Sequence, residues 1–199
     1  MRYELIDYIW KISPGKNAKF WNECKDNSII SIGWNKLGDV TQIKDKKILS
    51  DLFKLNYPDV KISHISGDNE IWDFLNIKRG DYIIANRGQN EVCGIGIVTS
   101  ENIIYDITKP QHTIRQVEWL RTKEFKIPTQ SSWVRTVMKV RDSDLIQKIL
   151  DSIDNATNDN SIHKKNLKFK NKGLSKLLLD KKQIILFGPP GTGKTYKTK

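Results

Sequence analysis

Cysteine and histidine are scarce in these 199 residues, with two of the first and three of the second. Cys24 and Cys93 match no metal or redox spacing and give no disulfide framework, so the fold must rest on a hydrophobic core, and the pattern suits a reducing cytosol. Both read as small buried apolar residues. His64, His112 and His163 lie far apart without ligand spacing, which argues against a histidine-built metal centre. No apolar run approaches the roughly 20 residues a membrane span needs. The opening MRYELIDYIW carries Glu4 and Asp7 where a secretory leader would have a basic head and an unbroken apolar stretch. No internal repeat is visible.

Acidic residues are also scarce, but only in one place. From Ser161 to Lys199 there are 11 lysines and one acid, Asp180, whereas residues 1–160 hold 23 basic and 22 acidic side chains. The net charge of +11 therefore belongs almost entirely to the tail. Within the nearly neutral remainder, Lys109 to Arg141 holds eight basic residues against Glu118 and Glu124. Such a run is a solvated face unless its members converge on phosphate.

What the tail does contain is a strand, Gln183 to Phe187, running into Gly188 to Thr195, GPPGTGKT. The segment fits G-x-x-x-x-G-K-[ST] without substitution and sits directly after a short apolar strand, the context the chemistry requires. Gly188, Gly191 and Gly193 allow backbone N–H groups to cradle phosphates, Lys194 reaches the terminal phosphates, and the Thr195 hydroxyl ligates Mg²⁺. Four residues follow Thr195. A Walker B acid, sensors and an arginine finger would all lie later, so this stretch alone is expected to turn over no nucleotide.

Earlier in the chain the patterns alternate between strand and helix. Leu5 to Ile12 reads as a strand ended by Ser13, Pro14 and Gly15, with Asn17 expected to cap a helix over Ala18 to Asp26. Ile29 to Trp34 reads as a second strand. Helices are expected over Lys46–Leu55 and Asn69–Leu75. Asp81–Arg87 and Glu91–Ser100 form a hairpin across Gly88, Gln89 and Asn90, followed by a short edge at Asn102–Tyr105 and a strand over Thr113–Thr122. Gly94 and Gly96 alternate inside the second hairpin strand, which demands something packed closely against the backbone. Asp142–Ile153 reads as an amphipathic closing helix. The tryptophans Trp10, Trp21, Trp72, Trp119 and Trp133 read as core. Five or six strands with inserted helices predict an α+β fold, a small mixed β-barrel with helices around it. The polar Asn155–Ser161 marks a boundary, giving a first domain over 1–155, a polar and lysine-rich linker over 156–172 and the start of a nucleotide-binding domain over 173–199.

Several short segments carry a family resemblance: SIGWNKLGD at Ser31–Asp39, KRGDY at Lys78–Tyr82, GIGIV at Gly94–Val98, Tyr105 with Asp106, and HTIRQVEWL at His112–Leu120. As a set, over about residues 3–127, they resemble the EVE group of PUA-like domains, relatives of the YTH domains. LFGPPGTGKTY separately resembles the P-loop of AAA+ motors, including McrB-type restriction subunits. The resemblance implies a barrel of the PUA/EVE/YTH type that flips a modified base of DNA into an aromatic pocket, joined to an NTP-driven motor that controls an McrC-like nuclease. By position in the family, Trp34, Tyr105 and His112 would form the cage, and Ser13, Asn17 and Asn35 would bond the base edge. Arg79, Arg87, Lys109, Arg115 and Arg121 are candidate backbone contacts. The reader needs no cofactor; its parent would use Mg²⁺ with GTP or ATP and assemble as a ring, while this piece is expected to be monomeric, cytoplasmic and free of membrane. RNA remains the alternative substrate, because EVE, PUA and YTH relatives include RNA binders. A nuclease reading built on Pro58, Asp59, Glu124 and Lys126 needs a metal-binding carboxylate set brought together by the fold.

Overall fold

The β-rich part of the chain folds around a curled sheet whose strands are not in chain order. The computed structural model describes residues 6–60 and 67–157, all within a unit spanning Leu5–Asn160. The GPPGTGKT segment, its lysine-rich approach, His64 and His163 lie outside the described residues. Among the described residues there are eight strands: β1 (Ile9–Ile12), β2 (Ile29–Ile32), β3 (Tyr82–Arg87), β4 (Glu91–Val98), β5 (Ile104–Tyr105), β6 (Thr113–Arg121), β7 (Phe125–Lys126) and β8 (Val137–Val140). Four α-helices accompany them: α1 (Trp21–Asp26), α2 (Lys46–Asn56), α3 (Gly67–Leu75) and α4 (Ser143–Thr157).

The sheet runs β2-β6-β4-β3-β1-β8, with β5 added on β6 and β7 on β4. Among the described residues no ladder joins β2 to β8, so the expected barrel is a half-barrel. The hairpin β3–β4 forms as its Gly88-centred turn predicts. β1 instead pairs parallel to β3, Trp10 opposite Ile83, and antiparallel to β8. A parallel pair requires a long crossover, and the stretch holding α1, β2, α2 and α3 supplies it. Two register shifts, at Ala85/Asn86 and Ile95/Gly96, bend the sheet where its strands would otherwise stay flat. β7 and β8 exceed the expected strand count. β7 is two residues long, and β8 has only two buried positions, Val137 and Val140, so neither leaves a periodic signature.

Burial explains the rest. Trp10, Ile12, Trp21, Ile30, Ile32, Leu49, Phe53, Ile71, Phe74 and Ile83 sit in one core. Asp45 caps α2 by accepting from Lys47 N at 2.7 Å, and Asp142 accepts from Leu145 N at 2.9 Å at the start of α4. Gly94 is required because the outer edge of the Trp21 ring stands where a Cβ would go. At Gly96 a Cβ would come within 2.8 Å of the Glu118 carbonyl and 2.9 Å of the Trp119 ring. Trp21 meets Trp119 edge to face at 4.9 Å, and Trp119 Nε1 donates to Cys24 O. Cys24 and Cys93 are free and buried, with burial pushing the Cys93 thiol up to about 12. Trp10 Nε1 donates to Asp81 Oδ2, the same oxygen that accepts from Lys78 N, so the aspartate of KRGDY holds its own turn and anchors β1. Among the described residues no helix is long and apolar enough to cross a membrane.

Candidate functional site

The ends of β1, β2 and β3 and the start of β6 meet around a cavity of about 540 Å³. Ser13 and Asn17 reach it from the turn after β1, Gly33 and Trp34 from the end of β2, and Asn86 from β3. Gln111 closes one side ahead of β6, and Trp133 and Thr136 close another from the segment ahead of β8. Strand ends collect here because the parallel β1–β3 pair points both C-terminal ends the same way.

The local backbone is unusual in a consistent manner. Trp34 has φ +66° and ψ 38°, a left-handed conformation that bulky residues avoid, and Asn17 (φ +54°) and Ala18 (φ +55°) share it. Such conformations cost on the order of 1–3 kcal/mol each and persist where surrounding structure enforces them. At Trp34 the enforcement is visible: a Cβ on Gly67 would lie 2.7 Å from Trp34 Nε1 and 2.6 Å from the Phe53 ring, so only glycine admits the indole edge. Asn17, expected as a helix cap, makes no capping bond; the left-handed turn takes its place. Trp34 stays half-buried, whereas Trp133 is 3% exposed.

The back wall is a fixed polar chain. Asn86 Nδ2 donates to Gly88 O at 2.7 Å, which turns Oδ1 toward Ser13, and the Ser13 hydroxyl donates to that oxygen at 2.7 Å. Lys11 Nζ donates to Ser13 Oγ at 2.9 Å. With its hydrogen committed and one lone pair taken, Ser13 faces the cavity with a lone pair: it accepts and does not donate. Lys11 is fully buried and its ammonium also donates to the carbonyls of Trp133, at 3.2 Å, and Arg135. Burial pulls this lysine down to about 7, with Glu70 opposing and Arg135 reinforcing the shift. Glu70 is itself buried; it accepts from Thr136 N at 3.1 Å, and burial holds its carboxyl above the ordinary range. The Gln111 amide is oriented by its neighbours. Nitrogen toward Ser31 O and Oγ and oxygen toward Gly33 N, at 3.0–3.2 Å, satisfies both ends, whereas the reverse would leave acceptor against acceptor.

Of the six residues expected at a base pocket, the fold brings Ser13, Asn17 and Trp34 to this cavity. Asn35 is instead a brace, its amide donating to Pro110 O at 3.0 Å and accepting from His112 N at 3.2 Å. Tyr105 and His112 are not among the cavity's lining residues. They meet edge to face at 5.7 Å and close the loop between β5 and β6, where Asp106 N donates to His112 O. Each of the five basic candidates has a partner within the fold. Arg79 pairs with Glu101, Arg87 makes a two-pronged bond to Glu124 at 2.6 and 2.9 Å, and Lys109 pairs with Glu23. Arg121 donates to Ser152 O. Arg115 is buried and holds the carbonyls of Leu75, Ser100 and Glu101, so its charge serves the fold rather than the surface. The Arg87 fork also occupies the Glu124 carboxylate that a nuclease would need, and among the described residues no three metal-ligating side chains cluster.

Asn86, Gln111 and Lys11 were not singled out by sequence reasoning, and Trp133 was read as core, which its 3% exposure bears out, but not as a cavity residue. Asn86 and Lys11 do leave a trace there, as polar residues inside otherwise apolar strands, IIAN and YIWKI. Trp133 leaves none, because the segment around it has no periodicity.

No curated protein matches this chain. Two solved structures of the Mmi1 YTH domain are similar to it. One is 14% identical with a TM-score of 0.40, over 77% of this chain and 78% of that one. The other is 13% identical with a TM-score of 0.36, over 75% of this chain and 89% of that one. Residues 10–143 match the model of a family described as a domain of unknown function, DUF8426, and the chain belongs to that family.

Proposed function

We propose that residues 1–155 form a reader of the EVE/YTH type that takes a flipped, modified base of DNA into the Trp34–Trp133 cavity. The observation that carries this reading is two tryptophans facing one cavity of about 540 Å³ whose back wall is a preset hydrogen-bond chain. That volume falls within the range of small-molecule sites, roughly 300–1,000 Å³. Extruding a base costs a few kcal/mol, and stacking on aromatic faces returns about 1–3 kcal/mol per base. Ser13 then accepts an N–H from the base edge, which orients the base between the rings. A methyl group adds apolar surface that the indoles can bury.

The tail supports the wider role. GPPGTGKT at 188–195 would bind GTP or ATP through Gly188, Gly191, Gly193 and Lys194, with Thr195 on Mg²⁺, in a protein whose motor drives an McrC-like nuclease. The reader is then the specificity domain of an NTP-dependent restriction system. Competition binding tests this reading, using matched DNA and RNA oligonucleotides with and without cytosine or adenine methylation. The expected result is preference for modified DNA, lost in Trp34→Ala; preference for RNA, or for unmodified strands, overturns it.

A further inference from the structure

Lys11 is out of reach of any ligand, yet it touches both halves of the cavity. Its Nζ bonds Ser13 Oγ on the β1 side and the backbone carbonyls of Trp133 and Arg135 on the β8 side. These walls belong to segments more than 100 residues apart in sequence, and apart from the β1–β8 ladder and the Ser13 N–Thr136 O bond, this side chain is what ties them beside the cavity. We propose that Lys11 is the positioning residue of the pocket, a buried ammonium that clamps the Trp133 wall to the Ser13 wall and fixes Ser13 as an acceptor. The inference rests on the reader function only for the ligand; the clamp itself is independent of it.

The donor count makes the clamp dependent on protonation. An ammonium has three N–H groups and meets three acceptors here. A neutral amine has two N–H groups and a lone pair. Two of the partners are carbonyls, which only accept, so on losing a proton Lys11 either releases one carbonyl or takes the Ser13 hydrogen onto its own lone pair. In the second case Asn86 Oδ1 loses its donor and faces the cavity instead. Either change loosens or repolarises the pocket. The charged groups facing Lys11 are Glu70, from α3, and Arg135, from the segment ahead of β8. Glu70 favours the ammonium and Arg135 opposes it, and burial outweighs both, which brings the transition to about pH 7. In the same window folding stability rises with pH, because the unfolded chain still binds the proton that the folded one has lost. Pocket order and global stability therefore move in opposite directions.

The test uses the full chain labelled with 5-fluorotryptophan, with the Trp133 resonance assigned through Trp133→Phe. On raising the pH from about 6 to about 9, that resonance shifts with a midpoint near 7 in the wild type, stays fixed in Lys11→Met, and moves to a lower midpoint in Glu70→Gln. In parallel, the oligonucleotide bound best among DNA strands carrying 5-methylcytosine, N4-methylcytosine or N6-methyladenine loses affinity roughly tenfold across that range. Lys11→Met binds it weakly at every pH. A Trp133 resonance indifferent to pH overturns the clamp whether or not DNA binds. A shifting resonance without binding of any strand leaves the clamp standing and removes the reader function.

Discussion

The Ser13 hydroxyl donates to Asn86 Oδ1 at 2.7 Å, across the seam where β1 runs parallel to β3. Because Asn86 Nδ2 is spent on Gly88 O, the direction of this bond is set by the backbone and not by the ligand. Ser13→Ala removes the acceptor while sparing the core. Binding of the preferred oligonucleotide should weaken roughly five- to tenfold, and the unfolding free energy should fall by about 1–3 kcal/mol, since the buried Lys11 ammonium and Asn86 Oδ1 each lose a partner. Asn86→Ala should cost more in stability than in contact, about 1–3 kcal/mol, since Gly88 O and Ser13 Oγ both lose a buried partner. Urea titrations beside binding isotherms separate the two effects.

The two tryptophans should divide in the same way. Trp34 is half-buried and braced by Gly67, so Trp34→Ala should abolish stacking, a loss of about 1–3 kcal/mol in binding. Trp133 is buried, and Trp133→Ala should lower stability by about 3–5 kcal/mol as well as binding. An unfolding curve for Trp34→Ala as depressed as that of Trp133→Ala would contradict this division.

Gly67→Ala tests the brace directly. A methyl there meets the Phe53 ring at 2.6 Å and Trp34 Nε1 at 2.7 Å, so the indole must shift. The expected outcome is weaker oligonucleotide binding together with a stability loss of about 1–3 kcal/mol from overpacking, despite the better helix propensity of alanine.

Arg115→Met should act on folding rather than on nucleic-acid affinity. Its guanidinium holds three carbonyls in the interior, and leaving them unpaired should cost on the order of 3 kcal/mol. The slope of log affinity against log salt should stay unchanged, whereas loss of a true phosphate contact reduces that slope by about one.

The contribution of Lys11 to stability should be nearly independent of pH below 7 and should rise with pH above it. The folded lysine titrates near 7 and the unfolded one near its ordinary 10.5, so between those values the unfolded chain binds more protons. Denaturant midpoints at increasing pH should climb in wild type and climb less in Lys11→Met.

Local signals were legible where chemistry or periodicity is local. The Gly88 hairpin, α2, α3 and α4 follow from turn residues and helical spacing, and Gly94 and Gly96 announced close packing, which Trp21 and Trp119 supply. Trp34, Ser13 and Asn17 were named on the strength of the family resemblance, and the fold sets all three along the cavity. Tyr105, His112 and Asn35 were drawn from position in a family, and the fold uses them to close and brace a loop. The basic run from Lys109 to Arg141 carries charge in sequence but not direction: Lys109 pairs with Glu23, Arg115 holds interior carbonyls, Arg121 donates to Ser152 O, and Lys139 and Arg141 lie over the Tyr8 ring.

By itself the sequence determined an α+β chain with a core built without disulfides, its turns, most of its helices and the tryptophan at the end of β2. Only the tertiary structure decided the pocket. Parallel pairing of β1 with β3 and antiparallel pairing of β1 with β8 bring Ser13, Asn86 and Trp133 together across more than 100 residues. Long-range pairing leaves no periodic mark in any one segment. Lys11 shows in the sequence only as a lone charge in an apolar strand, and it is the tertiary structure that places its ammonium beneath Ser13 and Trp133.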